Sequence, residues 1–141
     1  MIHSIIKYPI LILLFAIIYS NVDAQENSVK NCDQYFTSGF VSDGQEYHAK
    51  LDENNRARFY TTFYGGSHYR IIGCTNITDY PMVIKVYDKE KNLLFNNKDY
   101  NYSPYWDFTF TSTVDCIIEF EFETETKLKD EVMLLIGFKE K

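Results

Sequence analysis

The stretch "CIIEFEFETE", residues 116–125, decides the fold, because apolar and acidic side chains alternate along it from Ile118 to Glu123. Ile118, Phe120 and Phe122 share one parity, and the glutamates between them share the other. Successive side chains of a β-strand point to opposite faces of its sheet. This alternation therefore predicts a strand with one buried face and one face in water.

Seven further stretches carry strand patterns, bounded by turn residues. They are "QEYHAKL" (45–51), "ARFYTTFY" (57–64), "HYRIIGC" (68–74), "PMVIKVYD" (81–88), "NLLF" (92–95), "WDFTFTS" (106–112) and "EVMLLIGF" (131–138). The last is apolar at almost every position, which is typical of a central strand. Residues 27–40 hold at most one short helix, begun by Ser28 and ended by Gly39. About eight strands predict an all-β, two-sheet antiparallel sandwich, jelly-roll-like, in a single domain.

The first 24 residues have the order of a secretory signal peptide. Lys7 precedes an apolar run from Tyr8 to Tyr19, and a small residue, Ala24, stands before the expected cleavage point. The run is shorter than the roughly 20 residues that span a bilayer. We predict a signal peptide over 1–24, a mature chain over 25–141 without a transmembrane helix, and export to the periplasm, the outer-membrane surface or the medium. An uncleaved anchor is the alternative.

The chain has three cysteines, which export would place in an oxidising compartment. Three thiols allow one bridge, and sequence alone does not fix the pair. The interpretation favoured is Cys74 with Cys116, because one closes a predicted strand and the other opens one. Cys32 would then be buried, free or paired with another chain; three reduced, buried thiols are the alternative.

Charge and residue spacing restrict the function. The net charge of −6 and the absence of a basic stripe disfavour nucleic acid as a partner. His48 and His68 lack the spacing of a metal site, so we predict no metal and no cofactor. Calcium in the acidic turns "DENN" (52–55) and "DKEKN" (88–92) is the alternative.

The stretch "TTFYGGSHYR", residues 61–70, places two glycines beside a serine and a histidine. Gly65 and Gly66 can adopt the positive φ angles of a tight turn, so they predict a hairpin between two antiparallel strands. No helix follows Ser67, as a nucleophilic serine on a strand-to-helix turn would require. The pattern therefore indicates a bend and not a catalytic pair.

Aromatic residues are the strongest compositional signal, with 12 Tyr, 11 Phe and one Trp. Some tyrosines lie off the core parity or in the long polar loop 96–104. Tyrosine combines an apolar face with a polar tip, which suits sugar stacking and protein interfaces. The candidate binding residues are Tyr60, Tyr64, Tyr100, Tyr102 and Tyr105. We expect alanine at the last three to leave the fold intact.

The segment "FYTTFYGGSHYRIIGCTN…VIKVYDKEKNLLF…YSPYWDFTFTSTVDCIIEF…VMLLIGF" resembles small exported proteins of unknown role from Bacteroidota. "SHYRI" followed by "VIKVYDKEKNLLF" also resembles, more distantly, the pre-peptidase C-terminal type of β-sandwich domain. That resemblance implies a non-catalytic accessory module, of a kind that sometimes binds polysaccharide or assists secretion.

The sequence thus predicts a non-catalytic exported module that contacts a protein or glycan of the cell envelope. One alternative is a jelly-roll hydrolase, whose carboxylate pair would come from Asp107, Asp115, Glu119 or Glu121. Another is a structural subunit of an envelope complex.

Overall fold

A computed structural model describes residues 29–139 of the chain. The predicted signal peptide over 1–24 and the predicted helix start at Ser28 lie outside these residues.

Eight strands and two short 3-10 turns make up the described chain. The strands are β1 (Val41–Lys50), β2 (Arg56–Phe63), β3 (His68–Thr75), β4 (Met82–Asp88), β5 (Leu93–Asn96), β6 (Tyr105–Thr109), β7 (Val114–Phe122) and β8 (Glu131–Lys139). The 3-10 turns are Asp33–Tyr35 and Asn97–Tyr100. The all-β prediction is confirmed, and over residues 29–40 the expected helix amounts to one 3-10 turn.

The strands form two antiparallel sheets of four. The first sheet has the order β1-β8-β3-β6, and the second sheet has the order β2-β7-β4-β5. This interleaving of early and late strands is the double Greek key of a jelly roll. It confirms the predicted sandwich and places β8 in the interior of the first sheet, as its apolar sequence indicated.

The main core lies between the two sheets and follows the predicted parity. Ile118, Phe120 and Phe122 point inward from β7 and are almost fully buried. Phe59 and Phe63 from β2 and Val132, Leu134 and Ile136 from β8 join them. The alternation in 116–125 therefore marks the inner face of the second sheet.

The Gly65–Gly66 bend is not the predicted hairpin. It connects β2 in the second sheet to β3 in the first, so the chain crosses between the sheets here. Gly66 has a φ of +86°, and its N–H donates to the carbonyl of Phe110 at 2.8 Å. A Cβ on Gly65 would lie 2.8 Å from the Cα of Ser112. The glycines are needed for this close crossing, which strand alternation alone does not distinguish from a hairpin.

The predicted Cys74–Cys116 bridge is wrong. The disulfide joins Cys32 to Cys74, with their Cα atoms 6.0 Å apart, and Cys116 is free and buried. Cys74 shares the outward parity of Ile72 on the first sheet, whereas Cys116 points inward from the second sheet beside Ile118. The two sulfurs therefore lie on opposite sides of the first sheet.

Residues 29–40, which we call the strap, cover the outer face of the first sheet. Their apolar side chains form a second hydrophobic cluster with outward residues of β3 and β8. Its members are Val29, Cys32, Ile72, Cys74, Met133 and Leu135, with Tyr35, Phe36 and Tyr105 packed against them. The apolar character of β8 on both parities follows from this arrangement, because both of its faces are covered.

Arg70 fastens the strap to the sheet. Its side chain is only 5% exposed and lies between the rings of Phe40 and Tyr105. Nε and Nη2 donate to the Asp107 carboxylate at 2.6 and 2.9 Å. Nη1 donates to the carbonyl of Tyr35 at 2.8 Å and to a side chain of the strap, Thr37 Oγ1, at 2.9 Å. Arg70 is thus a structural residue whose donors all face the protein.

Candidate functional site

The five candidate tyrosines do not form one surface. Tyr60 and Tyr64 are 75% and 61% exposed on β2 and just after it, in the second sheet. Tyr100 stacks on Trp106, with ring centroids 4.1 Å apart. Tyr105 packs against the strap residue Tyr35 on the outer face of the first sheet, at 5.3 Å between centroids. The structure therefore separates Tyr60 and Tyr64 from the tyrosines of the 96–106 segment.

The 96–106 segment is held tightly, because a fully buried asparagine ties it to β4. Asn97 Oδ1 accepts from the N–H of Ile84 at 2.8 Å, and its Nδ2 donates to the carbonyls of Met82 and Ser103 at 3.0 and 3.1 Å. Tyr102 lies on this segment with a φ of +55°. Since Tyr100 and Tyr105 also pack on neighbouring rings, the expectation that alanine at 100, 102 and 105 spares the fold has no support in the packing.

The outer face of the second sheet, which we call the open face, belongs to neither hydrophobic cluster of residues 29–139. Strand register sets its side chains in rows across β2, β7 and β4. Tyr60 pairs with Ile117, and Ile117 pairs with Tyr87. Neighbouring strands lie about 4.8 Å apart, so the two tyrosines stand about 10 Å apart with isoleucine between them. We call these three residues the tyrosine row.

Two charged rows follow the tyrosine row along the strands. Arg58 pairs in register with Glu119, and Glu119 with Lys85. Arg58 Nε donates to Glu119 Oε2 at 2.8 Å. Glu121, in the next row, accepts from Arg56 Nη2 at 3.0 Å and from Lys85 Nζ at 3.2 Å. Glu119 and Glu121 are therefore neutralised by basic residues of β2 and β4.

Three of the four carboxylates of the hydrolase alternative share one face. Asp107 is on the first sheet, bound to Arg70, whereas Asp115, Glu119 and Glu121 lie at alternate positions on the outer face of β7. Burial alone raises the pKa of Glu121, but hydrogen bonds from Arg56 and Lys85 outweigh it and hold that pKa below its ordinary value. A general acid requires a raised pKa, so Glu121 is poorly suited to that role.

The histidines are also apart. His48 lies on β1, between Glu131 at 2.5 Å from Nδ1 and Glu46 at 3.2 Å from Nε2. His68 lies beside Thr109, with Nδ1 at 2.6 Å from its hydroxyl. His48 pairs with Met133, and Met133 pairs with Cys74, so His48 and Cys74 lie level across the first sheet. His68 is at the opposite end of β3 from Cys74, which places it about 20 Å away along the strand. Over residues 29–139, no three His, Cys, Asp or Glu side chains are grouped to hold a metal ion.

The third cysteine lies beneath the open face. Burial, followed by the charges of Asp88 and Asp115, raises the pKa of the Cys116 thiol to about 11. A thiol that stays protonated and buried is a poor nucleophile, so Cys116 serves packing.

Comparison with known proteins does not assign the chain to a family. No protein-family model matches the chain, and no curated protein is significantly similar to it. The resemblances to exported Bacteroidota proteins and to pre-peptidase C-terminal domains stay predictions. Between residues 29 and 139, no helix is long and apolar enough to cross a membrane.

The sequence predicted Tyr60 but missed Tyr87 and Ile117 as its companions. Tyr87 carried the outward parity of "PMVIKVYD", and Ile117 interrupted the glutamates of its own parity in "CIIEFEFETE". The signal in the sequence was Ile117, an apolar residue on a parity that is otherwise acidic. Their neighbourhood, however, depends on the pairing of β2, β7 and β4, which the sequence does not specify.

Proposed function

We propose that this chain is an exported, non-catalytic binding module that contacts a protein or glycan of the cell envelope through its open face. The observation that carries the proposal is the placement of Tyr60. Its ring is 75% exposed on a regular strand, and within residues 29–139 it has no hydrogen bond and no ring partner. A large side chain without a structural role, beside Ile117 and Tyr87, is typical of an interaction site.

Two further observations support the export and the lack of catalysis. The Cys32–Cys74 disulfide fits an oxidising compartment, because such bonds are rare where thiols are kept reduced. Glu119 and Glu121 of the open face are bonded to arginine and lysine, which fits recognition better than acid–base chemistry.

The test is cosedimentation of the full chain with isolated envelopes of the producing cells. We expect the wild-type chain to sediment with the envelopes and Tyr60→Ala/Tyr87→Ala to remain largely in solution. The matched control is Phe138→Ala, which removes an exposed aromatic side chain from β8, outside the open face. Protease treatment of the envelopes then separates a protein partner from a glycan. Equal sedimentation of wild type and double variant would reject the open face as the contact.

A second candidate, a structural subunit of an envelope complex, is favoured by the outer edge of the second sheet. β5 is an edge strand, and both of its leucines, Leu93 and Leu94, are exposed. An exposed apolar edge can pair with another chain. In this case Leu93→Lys/Leu94→Glu would abolish assembly, measured as native mass in envelope extracts, while Tyr60→Ala would not.

A further inference from the structure

Basic side chains concentrate beside the tyrosine row, although the whole chain carries a net charge of −6. A groove of the open face is lined by four basic residues and one carboxylate, Glu119, next to the tyrosine row. The basic residues are Arg56, Arg58, Lys85 and Lys91. Glu121 borders the groove and binds Arg56 and Lys85. The groove is therefore locally positive on an acidic molecule.

Several donors of this groove are unused. Arg58 bonds Glu119 through Nε only, and neither Nη group donates to an atom of residues 29–139. Arg56 Nε is buried without any hydrogen-bond partner in the same residues. Lys91 stands in the β4–β5 turn, where no described carboxylate pairs with it. An acceptor-rich ligand could reach the Nη groups of Arg58 and the ammonium of Lys91, and Arg suits carboxylates because its donors form a planar fork.

We propose that the open face binds an acidic polysaccharide, with sugar rings on Tyr60 and Tyr87 and anionic groups on Arg58 and Lys91. This inference rests on the proposed function and names its ligand class. The span of about 10 Å between the tyrosines is on the scale of a disaccharide. Tyrosine faces accept the C–H side of a sugar ring, while the charged row beside them selects a negative substituent.

The architecture favours a polysaccharide over an acidic peptide. A peptide that adds a strand needs a free sheet edge, but the tyrosine row is centred on β7, which is paired on both sides by β2 and β4. Nucleic acid carries the same sign of charge as an acidic polysaccharide, so the net charge of −6 does not separate the two and DNA is included among the probes.

The experiment is isothermal titration of the full chain with defined polymers. The acidic probes are polygalacturonate, alginate and heparin, and the neutral probes are dextran and xylan. We expect at least one acidic polysaccharide to bind about tenfold or more tightly than both neutral ones, and to weaken between 50 and 300 mM salt because exposed charges are screened. Tyr60→Ala should weaken that binding about tenfold, and Lys91→Gln about threefold.

The controls separate this inference from simple charge attraction. Lys129→Gln removes an exposed lysine in the β7–β8 loop and should bind as the wild type does. Poly-glutamate and DNA should bind at least tenfold more weakly than the acidic polysaccharide. Equal binding of poly-glutamate or DNA, equal binding of the neutral polymers, or no binding to any acidic probe overturns the inference. Envelope binding that depends on the tyrosines would in each case leave the proposed function standing.

Discussion

The two outer faces of the sandwich are formed by the same alternation of side chains along the strands. One face is covered by the strap, and the other is not. On the first sheet the outward residues Ile72, Met133 and Leu135 are apolar, and the strap buries them. On the second sheet the outward residues of β7 include Glu119 and Glu121, which salt bridges neutralise in place. An apolar face needs a cover, whereas a face of paired charges does not. An exposed tyrosine on the second kind of face is therefore left without a cover among residues 29–139, which supports the proposed partner.

Loss of the disulfide should lower the free energy of unfolding the most, because it frees the strap from the first sheet. The bridge closes a loop with a sequence separation of 42. Chain entropy for a loop of that size corresponds to about 4 kcal/mol. We expect Cys32→Ala/Cys74→Ala to lower the free energy of unfolding by about this amount, measured by urea denaturation.

Reductant provides the matched control for this variant. Dithiothreitol should destabilise the wild type and Cys116→Ala alike, and should leave Cys32→Ala/Cys74→Ala unchanged. If Cys116→Ala is instead the insensitive variant, the bridge involves the core cysteine and the strap is held in another way.

Arg70→Met should have the next largest effect. Methionine keeps an apolar side chain between Phe40 and Tyr105 but removes the charge and every hydrogen bond to Asp107 and the strap. Breaking a buried ion pair on one side costs about 3 kcal/mol or more, and half-exposed Asp107 keeps the loss near that value. The measurement is again urea unfolding, with Lys98→Met expected to lose less because its partner Glu123 is 49% exposed and stays in water when the pair is broken. A larger loss for Lys98→Met would contradict the structural role assigned to Arg70.

The strand pattern could be predicted because alternation is a local property. Phe120 and Glu119 reveal their faces from sequence neighbours alone, and the inward parity of β7 agrees with the structure. The predicted exposure to water is wrong for Glu119, which is only 6% exposed and bonded to Arg58. Alternation does not reveal which sheet holds a strand. For that reason the sequence predicts a hairpin where the chain crosses between the sheets at Gly65–Gly66, and it predicts a bridge between Cys74 and Cys116, which the first sheet separates.

The strap escaped prediction because nothing periodic marks residues 29–40. The signal lay instead in the strands beneath it. "HYRIIGC" and "EVMLLIGF" place apolar residues on both parities, which requires cover on both faces of the first sheet. One part of the tyrosine row could be predicted, because the parity of Tyr60 in its strand indicates an exposed side chain. The distance between Tyr60 and Tyr87 could not, because it depends on how β2 and β4 pair with β7.

His48 should contribute a small, pH-dependent term at the edge of the covered face. Its hydrogen bond to Glu46, opposed by partial burial and reinforced by Glu131, raises its pKa above 6.5. A raised folded pKa stabilises the protein fully below pH 6.5, and this contribution is lost as the pH rises through the folded value. His48 is 38% exposed, so solvent screening keeps the contribution under about 1 kcal/mol. The stability difference between wild type and His48→Gln should be larger at pH 5.5 than at pH 8.5; a difference that grows with pH would contradict the assignment.

Tyr60→Ala should change the free energy of unfolding the least. This small change would distinguish the open face from the face that the strap covers. The ring of Tyr60 contacts no aromatic partner and makes no hydrogen bond within residues 29–139, so its removal should change the free energy of unfolding by less than about 0.5 kcal/mol. Tyr105→Ala removes the same side chain from the covered face, where it packs on Tyr35 and Arg70, and should cost clearly more. Parallel urea titrations of the two variants measure the difference. Equal losses would mean that Tyr60 supports the fold, and its exposure would then no longer argue for a partner.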